Sequence, residues 1–165
     1  ETGIMGRNYT ASDFKKLVIL GRKTMKDLNV ATDLIIGFPF ETEEAFRNSM
    51  GLIRDTRPNK VNLSKFAPRP HTVASLLPTL PSSTIDRRAK VAHLACREIS
   101  QEVNSSFVGS SVQIFILKRT SEGYSGRTTN YLPAKVMATT ELRPGEVISA
   151  KVISATASGL TTSPD

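Results

Sequence analysis

The sequence contains one cysteine among 165 residues, and this scarcity excludes several classes of protein. A single thiol cannot form a disulfide within the chain, so the chain is not a disulfide-stabilised secreted scaffold. An iron–sulfur cluster typically needs about three or four cysteines, and neither His71 nor His93 has a cysteine at zinc-site spacing. The residues therefore predict no metal centre belonging to this chain.

Long apolar runs and targeting signals are also lacking. The longest apolar run is Leu34-Ile35-Ile36 with Gly37 and Phe38, far short of the ~20 residues of a membrane span. The first residues show neither a secretory nor a mitochondrial pattern. With 39% apolar and 22% charged residues, we expect a globular, soluble, cytoplasmic protein with no membrane segment.

The charge is mildly basic and contains no dense block of lysine and arginine. The net charge is +7; residues 1–104 contribute +5 (16 basic, 11 acidic) and residues 105–165 contribute +2 (6 basic, 4 acidic). A mildly basic surface is typical of proteins that bind nucleic acid, and it is almost as common among soluble proteins that do not.

The pattern of residues 10–66 predicts a helix, a strand, a second helix and a second strand, in that order. A capping box of Thr10 and Asp13 starts a helix predicted to end at Asn29, and Thr42 caps a helix that ends at Pro58. The intervening run 31–38 is almost continuously apolar, as in a parallel strand covered on both faces, and 60–66 alternates. The first helix has this apolar set: Phe14, Leu17, Val18, Met25 and Leu28. The pattern predicts a βαβ crossover.

A proline-rich irregular stretch up to Ser83 precedes a long helix, predicted over 83–102, with Cys96 in its apolar stripe. We expect Cys96 to be a buried, unreactive side chain. Two parallel strands are too few to form a well-covered sheet, so residues 1–104 are predicted to be the end of a larger α/β domain.

Residues 105–165 are rich in Val, Ile, Thr, Ser and Gly, a composition typical of β-strands and turns. We therefore place a domain boundary near residue 105. Apolar and polar residues alternate over 112–117 and 146–152. Turn signals occur at Glu122-Gly123, Ser125-Gly126 and Pro144-Gly145. The pattern predicts a small β-barrel or sandwich.

Two loops follow the predicted parallel strands, Gly37 to Glu43 and Lys65 to Pro70. Ligands bind at the carboxyl ends of parallel strands, and Lys65 or Arg69 suits a carboxylate or phosphate. Plain connecting loops are the alternative interpretation.

The segments 8–10, 32–43 (Thr-Asp-Leu-Ile-Ile-Gly-Phe-Pro-Phe-Glu-Thr-Glu) and 65–70 (Lys-Phe-Ala-Pro-Arg-Pro) resemble the second half of the radical-SAM methylthiotransferases. The segment 123–131, Gly-Tyr-Ser-Gly-Arg-Thr-Thr-Asn-Tyr, resembles the TRAM domain that ends those enzymes. The resemblance covers essentially the whole chain, in the family's order. It is closest to the archaeal and eukaryotic branch, which acts on N6-threonylcarbamoyladenosine beside the tRNA anticodon.

The resemblance implies the fold class and the sites. It implies the C-terminal part of a radical-SAM partial (β/α) barrel over 1–104, followed by a small TRAM β-barrel over 105–165. Residues implied at the S-adenosylmethionine pocket are Gly37, Pro39, Glu41, Lys65 and Arg69, with Arg69 expected at the methionyl carboxylate. Residues implied in binding the tRNA anticodon stem-loop are Lys118, Arg119, Arg127, Asn130 and Tyr131. A barrel-filling aromatic is the alternative for Tyr131.

In the family, S-adenosylmethionine and two [4Fe-4S] clusters insert a methylthio group at C2 of the modified adenine. The cluster motif CxxxCxxC is not in this chain, so no catalytic or metal-binding residue is assigned to it. We expect the chain alone to be inactive.

The chain also departs from the family pattern. Phe40 stands where Gly or Thr is usual, His71 where Gly is common and Val73 where Pro is common. The stretch 1–6 looks shortened. Three alternatives therefore stay open: a non-catalytic TRAM-type RNA-binding protein, the branch that modifies a ribosomal protein and holds protein with its TRAM domain, and a degenerate relic.

Overall fold

The computed structural model describes residues 7–165, and the stretch 1–6 that looks shortened lies outside them. The described chain divides into two compact units. The first comprises residues 7–26 and 30–97, and the second comprises 27–29 and 98–165. The described residues combine a mixed α/β part with a small β domain, which confirms the fold class at that level.

The first unit follows the predicted order of elements. It contains α1 (Ala11–Thr24), β1 (Ala31–Ile36), α2 (Glu43–Thr56), β2 (Lys60–Lys65), a 3-10 turn (Val73–Leu76) and the first part of α3 (Ser82–Ser105). Both predicted caps are present: Thr10 and Asp13 form a capping box, and the Thr42 hydroxyl accepts from the Ala45 amide. These bonds satisfy amides that a helix start leaves unpaired.

Helix α1 is shorter than predicted. It ends at Thr24 rather than near Asn29, because Met25 is extended (φ −119°, ψ 113°) and Asp27 is left-handed (φ 59°). Its apolar face was predicted only in part, since Val18 is buried while Leu17 is exposed.

Strands β1 and β2 form a parallel pair, as predicted, in a register that sets Ile36 opposite Lys65. Leu34, Ile36 and Leu63 pack with residues of α2 and α3 in one apolar cluster. The prediction that β1 is covered on both faces was wrong for the described residues. Its alternate side chains are exposed, Ile35 by 39%, because the helices pack on one face only.

The second unit is built from five strands that close into a barrel in the order β3-β4-β5-β7-β6. The strands are β3 (Ser111–Thr120), β4 (Gly123–Thr128), β5 (Pro133–Val136), β6 (Val147–Thr156) and β7 (Gly159–Pro164). The pairing of β3 with β6 completes the circle. Inward residues alternate along each strand, and the main core contains Ile114, Ile116, Tyr124, Ala134, Val136 and Ala150.

The predicted turn at Ser125-Gly126 was wrong, because both residues lie inside β4. At Gly126 a Cβ atom would lie 2.5 Å from Ile114 Cγ2 and 2.6 Å from the Phe115 carbonyl oxygen. The glycine therefore marks close approach of two strands rather than a change of direction.

No helix within residues 7–165 combines the length and the apolar character that crossing a bilayer requires.

Candidate functional site

The loop after β1 folds back on itself and holds the first group of predicted site residues. The Glu41 amide donates to the Phe38 carbonyl at 2.9 Å, and the Gly37 amide donates to Glu41 Oε2 at 3.1 Å. Glu41 is 7% exposed, and Pro39 is buried. The loop is therefore organised by a buried carboxylate.

A buried arginine of α3 pairs with that carboxylate. Arg88 is 4% exposed, and its Nη1 donates to Glu41 Oε2 at 2.6 Å and to the Glu41 carbonyl at 2.9 Å. Its Nη2 donates to Glu43 Oε2 at 3.1 Å, and its guanidinium carbon lies 5.5 Å from the centre of the Phe46 ring. Arg88 thus connects both glutamates of the loop to α3.

The pKa values at this cluster follow from its hydrogen bonds. Bonds from Arg87 and then Arg88 lower the pKa of Glu43 below its ordinary value. Burial lowers the pKa of Arg88, but its bonds to Glu41 and Glu43 outweigh burial and raise it. Arg88 is therefore permanently charged, and the lowered pKa of Glu43 keeps that carboxylate ionised at neutral pH.

Gly37 and Glu41 are both engaged with the protein itself. Gly37 has φ +80°, and a Cβ on it would lie 2.6 Å from Cγ1 of Ile85 on α3. The glycine therefore permits close packing of the loop on the helix, and the Glu41 carboxylate bonds to Gly37 and Arg88. These two residues shape the loop.

The second loop supplies the exposed cations. Its strand end lies beside the first loop, because the Phe66 amide donates to the Ile36 carbonyl at 2.7 Å and the Phe38 and Phe66 rings meet edge to face at 5.3 Å. Lys65 Nζ forms an exposed ion pair with Asp86 at 2.6 Å. Arg69 is exposed, and its guanidinium makes no hydrogen bond or ion pair within residues 7–165.

The side chains at this edge of the sheet can be compared with the two cofactors that the family resemblance implies, S-adenosylmethionine and an iron–sulfur cluster. The cationic side chains of Lys65 and Arg69 suit the carboxylate of S-adenosylmethionine. A metal cluster has no comparable fit: no group of three potential ligands lies together in the described part of the chain. Cys96 is buried as predicted, and burial raises the pKa of its thiol.

Two departures from the family pattern have a shared backbone feature. Phe40 has φ +66° and His71 has φ +65°, which is the left-handed region that glycine adopts without strain. The resembled pattern has glycine or threonine at the position of Phe40 and commonly glycine at the position of His71. The left-handed backbone explains why the family pattern includes glycine at both positions.

In the second unit, Arg127 and Tyr131 lie together at the β4–β5 turn. The Arg127 guanidinium carbon is 4.8 Å from the centre of the Tyr131 ring, and its Nη1 donates to the Tyr131 carbonyl at 3.3 Å. Tyr131 is 71% exposed, so it does not fill the barrel; Tyr124 is the buried aromatic of the core.

The amide of Asn130 is used inside the second unit. Its Oδ1 accepts from the Thr128 hydroxyl, and its Nδ2 donates to the Asp27 carbonyl at 2.8 Å. The Leu132 amide also donates to that hydroxyl, at 2.9 Å. Thr128 and Asn130 thus hold the turn that presents Tyr131.

Lys118 and Arg119 lie further along β3 and are exposed. A bulge between Ile116 and Lys118 shifts the register, so Lys118 lies opposite Ser125 and Arg119 opposite Tyr124. Arg119 lines an open cavity of about 300 Å³ together with hydroxyl groups and Glu141. The structure therefore separates the five RNA-binding candidates into two groups.

Sequence reasoning missed Arg88 and Phe115. Arg88 lies three residues after Ile85, on the apolar stripe of α3, and a charged residue on a buried stripe is the signal that was available. Phe115 is 45% exposed on the polar side of the alternating run in β3, where a large aromatic side chain is unexpected.

Comparison with known proteins places the chain. No family model matches it. A probable threonylcarbamoyladenosine tRNA methylthiotransferase of Pyrococcus abyssi is 44% identical over 112 residues, covering 68% of this chain and 26% of that protein. A protein of the same name from Pyrococcus horikoshii is 39% identical over 152 residues, covering 90% and 34%. The chain belongs to the tRNA methylthiotransferase family.

A more distant relative is the tRNA-2-methylthio-N(6)-dimethylallyladenosine synthase of Tropheryma whipplei, 28% identical over 156 residues, covering 90% of this chain and 33% of that protein. The chain thus spans about a quarter to a third of the length of these three relatives. Among solved structures, the apo form of Mycoplasma genitalium RNase R aligns with 50% of the chain and 18% of its own at 14% identity and a TM-score of 0.32, which is too low to establish a shared fold.

Proposed function

We propose that this chain forms part of a tRNA methylthiotransferase that adds a methylthio group to C2 of N6-threonylcarbamoyladenosine next to the anticodon. The observation that carries the proposal is the 44% identity to a protein named for that modification. In this proposal the first unit is the C-terminal part of a radical-SAM partial barrel, and the second is a TRAM barrel that binds tRNA. The site of action is the cytoplasm.

The loops at the carboxyl ends of β1 and β2 would form part of the S-adenosylmethionine pocket wall. Exposed Arg69, which has no ion pair within residues 7–165, would hold the methionyl carboxylate, with Lys65 beside it. Gly37, Pro39 and Glu41 would set the shape of the loop through the bond to Arg88. When bound, S-adenosylmethionine supplies the methyl group and the radical chemistry of the family.

The two [4Fe-4S] clusters of the family need ligands that this chain does not provide, since its one cysteine is buried. We therefore expect no turnover from the isolated chain. Production of 5′-deoxyadenosine by the purified chain after iron–sulfur reconstitution would contradict this expectation.

On the RNA side, Arg127 and Tyr131 would contact unpaired nucleotides, and Lys118 and Arg119 would contact phosphates further along β3. Asn130 would contribute by holding the turn. The exposure of Tyr131 supports this assignment, because a stacking ring must be accessible.

A chimera tests the enzymatic part of the proposal. The matching third of the Pyrococcus horikoshii relative is replaced by this chain, and tRNA nucleosides from cells that carry the chimera are analysed by mass spectrometry. We expect methylthiolated threonylcarbamoyladenosine, and its loss when Lys65 and Arg69 are both changed to Met. Lys60→Met, at the opposite end of β2, is the matched control and should retain the product.

A folded, tRNA-binding chimera without product would favour the non-catalytic RNA-binding alternative. Failure of the unaltered chain to bind any RNA would instead favour the protein-modifying branch or a relic.

A further inference from the structure

An exposed aromatic side chain on the outer face of the barrel lies beside the Arg127–Tyr131 pair. Ile114 and Ile116 point into the core, so Phe115 between them points outward, where it is 45% exposed. The register sets Phe115 opposite Arg127 on β4 and opposite Val147 on β6. Directly opposed residues on one face have Cβ atoms about 5 Å apart, so these side chains are neighbours.

Arg127 in turn lies over the ring of Tyr131, at 4.8 Å. The register and this contact set the order across the surface as Phe115, Arg127, Tyr131, with the guanidinium over the Tyr131 ring and Phe115 on the neighbouring strand. No carboxylate pairs with Arg127 in the described part of the chain. The surface presents flat π faces and a cation, which is the chemistry that unpaired nucleobases and their phosphates require.

We propose that Phe115, Arg127 and Tyr131 form one stacking platform for unpaired RNA bases, and that this platform makes the second unit selective for single-stranded over double-stranded RNA. The inference rests on the proposed function, because it assumes that the second unit binds RNA. In a duplex the bases are stacked on each other and their faces are closed to side chains. A platform made of ring faces therefore gains binding energy only from unpaired nucleotides.

The charge of residues 105–165, which form the barrel, favours RNA over a protein partner as the occupant. Residues 105–165 have a net charge of +2, and Arg127 contributes a cation to the platform beside the Tyr131 ring. A peptide would need an acidic side chain at Arg127, whereas every nucleotide has a phosphate.

The test uses the 165-residue chain and fluorescence anisotropy with two probes: a short unstructured RNA, and the same RNA annealed to its complement. We expect tighter binding of the single strand. Phe115→Ala should weaken that binding by about five- to a hundred-fold, which corresponds to the loss of one stacked base. Phe115→Trp should retain it, because the larger ring still offers a stacking face.

Ile153→Ala is the matched control, because Ile153 is an apolar residue with similar exposure (51%), six positions along β6 from Val147. It should leave binding unchanged, and circular dichroism checks that each variant is folded. Equal binding of both probes, or no effect of Phe115→Ala in a folded protein that binds the single strand, would overturn the platform and leave the proposed function standing. If the chain binds neither probe, both the platform and the proposed function are overturned.

Discussion

At the scale of single residues, the buried carboxylate of Glu41 pairs with the cation of Arg88. Arg88→Met leaves Glu41 buried without its cation, and we expect this to lower the free energy of unfolding by about 3 kcal/mol. Urea unfolding monitored by circular dichroism measures the change. Arg87→Met is the control, because Arg87 bonds to Glu43 from an exposed position and should have a much smaller effect. Equal losses for the two variants would show that burial of the Glu41–Arg88 pair is unimportant.

The network also predicts a pH dependence through Glu43. Bonds from Arg87 and Arg88 lower its pKa below the ordinary 4.5. The stabilisation is therefore fully present above about pH 4.5 and is lost as the pH falls through the lowered value. The stability difference between the unaltered chain and Glu43→Gln should shrink in acid, as measured by urea unfolding at several pH values. A difference that grows in acid would refute the assignment.

The left-handed backbone of Phe40 and of His71 predicts stabilising changes at these two positions. Phe40→Gly and His71→Gly should each raise the free energy of unfolding by up to about 1 kcal/mol, because glycine relieves the strain of positive φ. Phe40→Ala and His71→Ala are the matched controls, since alanine shortens the side chain but keeps the strain. Thermal unfolding of the four variants gives the comparison. If alanine stabilises as much as glycine, the backbone is not the cause.

The sequence predicted which residues lie at the edge of the parallel strands, but it did not predict which side chains pair with them. The strand-end motifs located Gly37, Glu41 and Lys65 at one sheet edge, because parallel strands bring their carboxyl ends together. The pairing of Glu41 with Arg88 joins residues 47 positions apart, and its distance in sequence hid it. Local patterns contain no information about which distant charge reaches a buried carboxylate.

At the scale of elements, helix starts were predictable and strand interiors were not. Caps use residues three positions apart, so Thr10 with Asp13 and the start at Thr42 could be identified directly. Gly126 was misinterpreted as a turn residue, because the close approach of β3 to β4 depends on a partner strand. The early end of α1 likewise depends on the left-handed Asp27, which has no clear sequence signal.

Strand β4 has a sharp prediction of its own. Gly126→Ala should destabilise the barrel, because the new methyl group would lie within 2.6 Å of both Ile114 Cγ2 and the Phe115 carbonyl oxygen, and neither backbone strand can withdraw without losing ladder bonds. Gly51→Ala in α2 is the control: nothing lies within 4 Å, and alanine favours helix by about 1 kcal/mol. The two variants should shift the thermal midpoint in opposite directions. A barrel unaffected by Gly126→Ala would show that β3 and β4 are further apart.

At the scale of the whole molecule, the distribution of charge limits how RNA is bound. The second unit has six cationic residues, and Lys135 is paired with Glu122. Each phosphate contact on a single strand contributes about −0.7 to the slope of log K against log salt. We expect a slope no steeper than about −3.5 in anisotropy titrations, because at most five cations remain.

A double change to Lys118→Ala and Arg119→Ala should make that slope shallower by about 1.4, whereas Lys60→Ala in the first unit should not alter it. A slope twice as steep would mean that the first unit supplies at least half of the phosphate contacts.

The closed barrel has one more consequence, which concerns how proteins are assembled in evolution. Every strand of the barrel is paired on both sides within residues 111–164, so the unit presents no free strand edge to a neighbouring chain. A segment with that property can be joined to new sequences without opening a route to aggregation. Within residues 7–165, β1 and β2 each pair with a strand on one side only, so this parallel pair lacks that property. The barrel, and not the α/β unit, is therefore the part of this chain that is physically suited to being joined to other proteins as a domain.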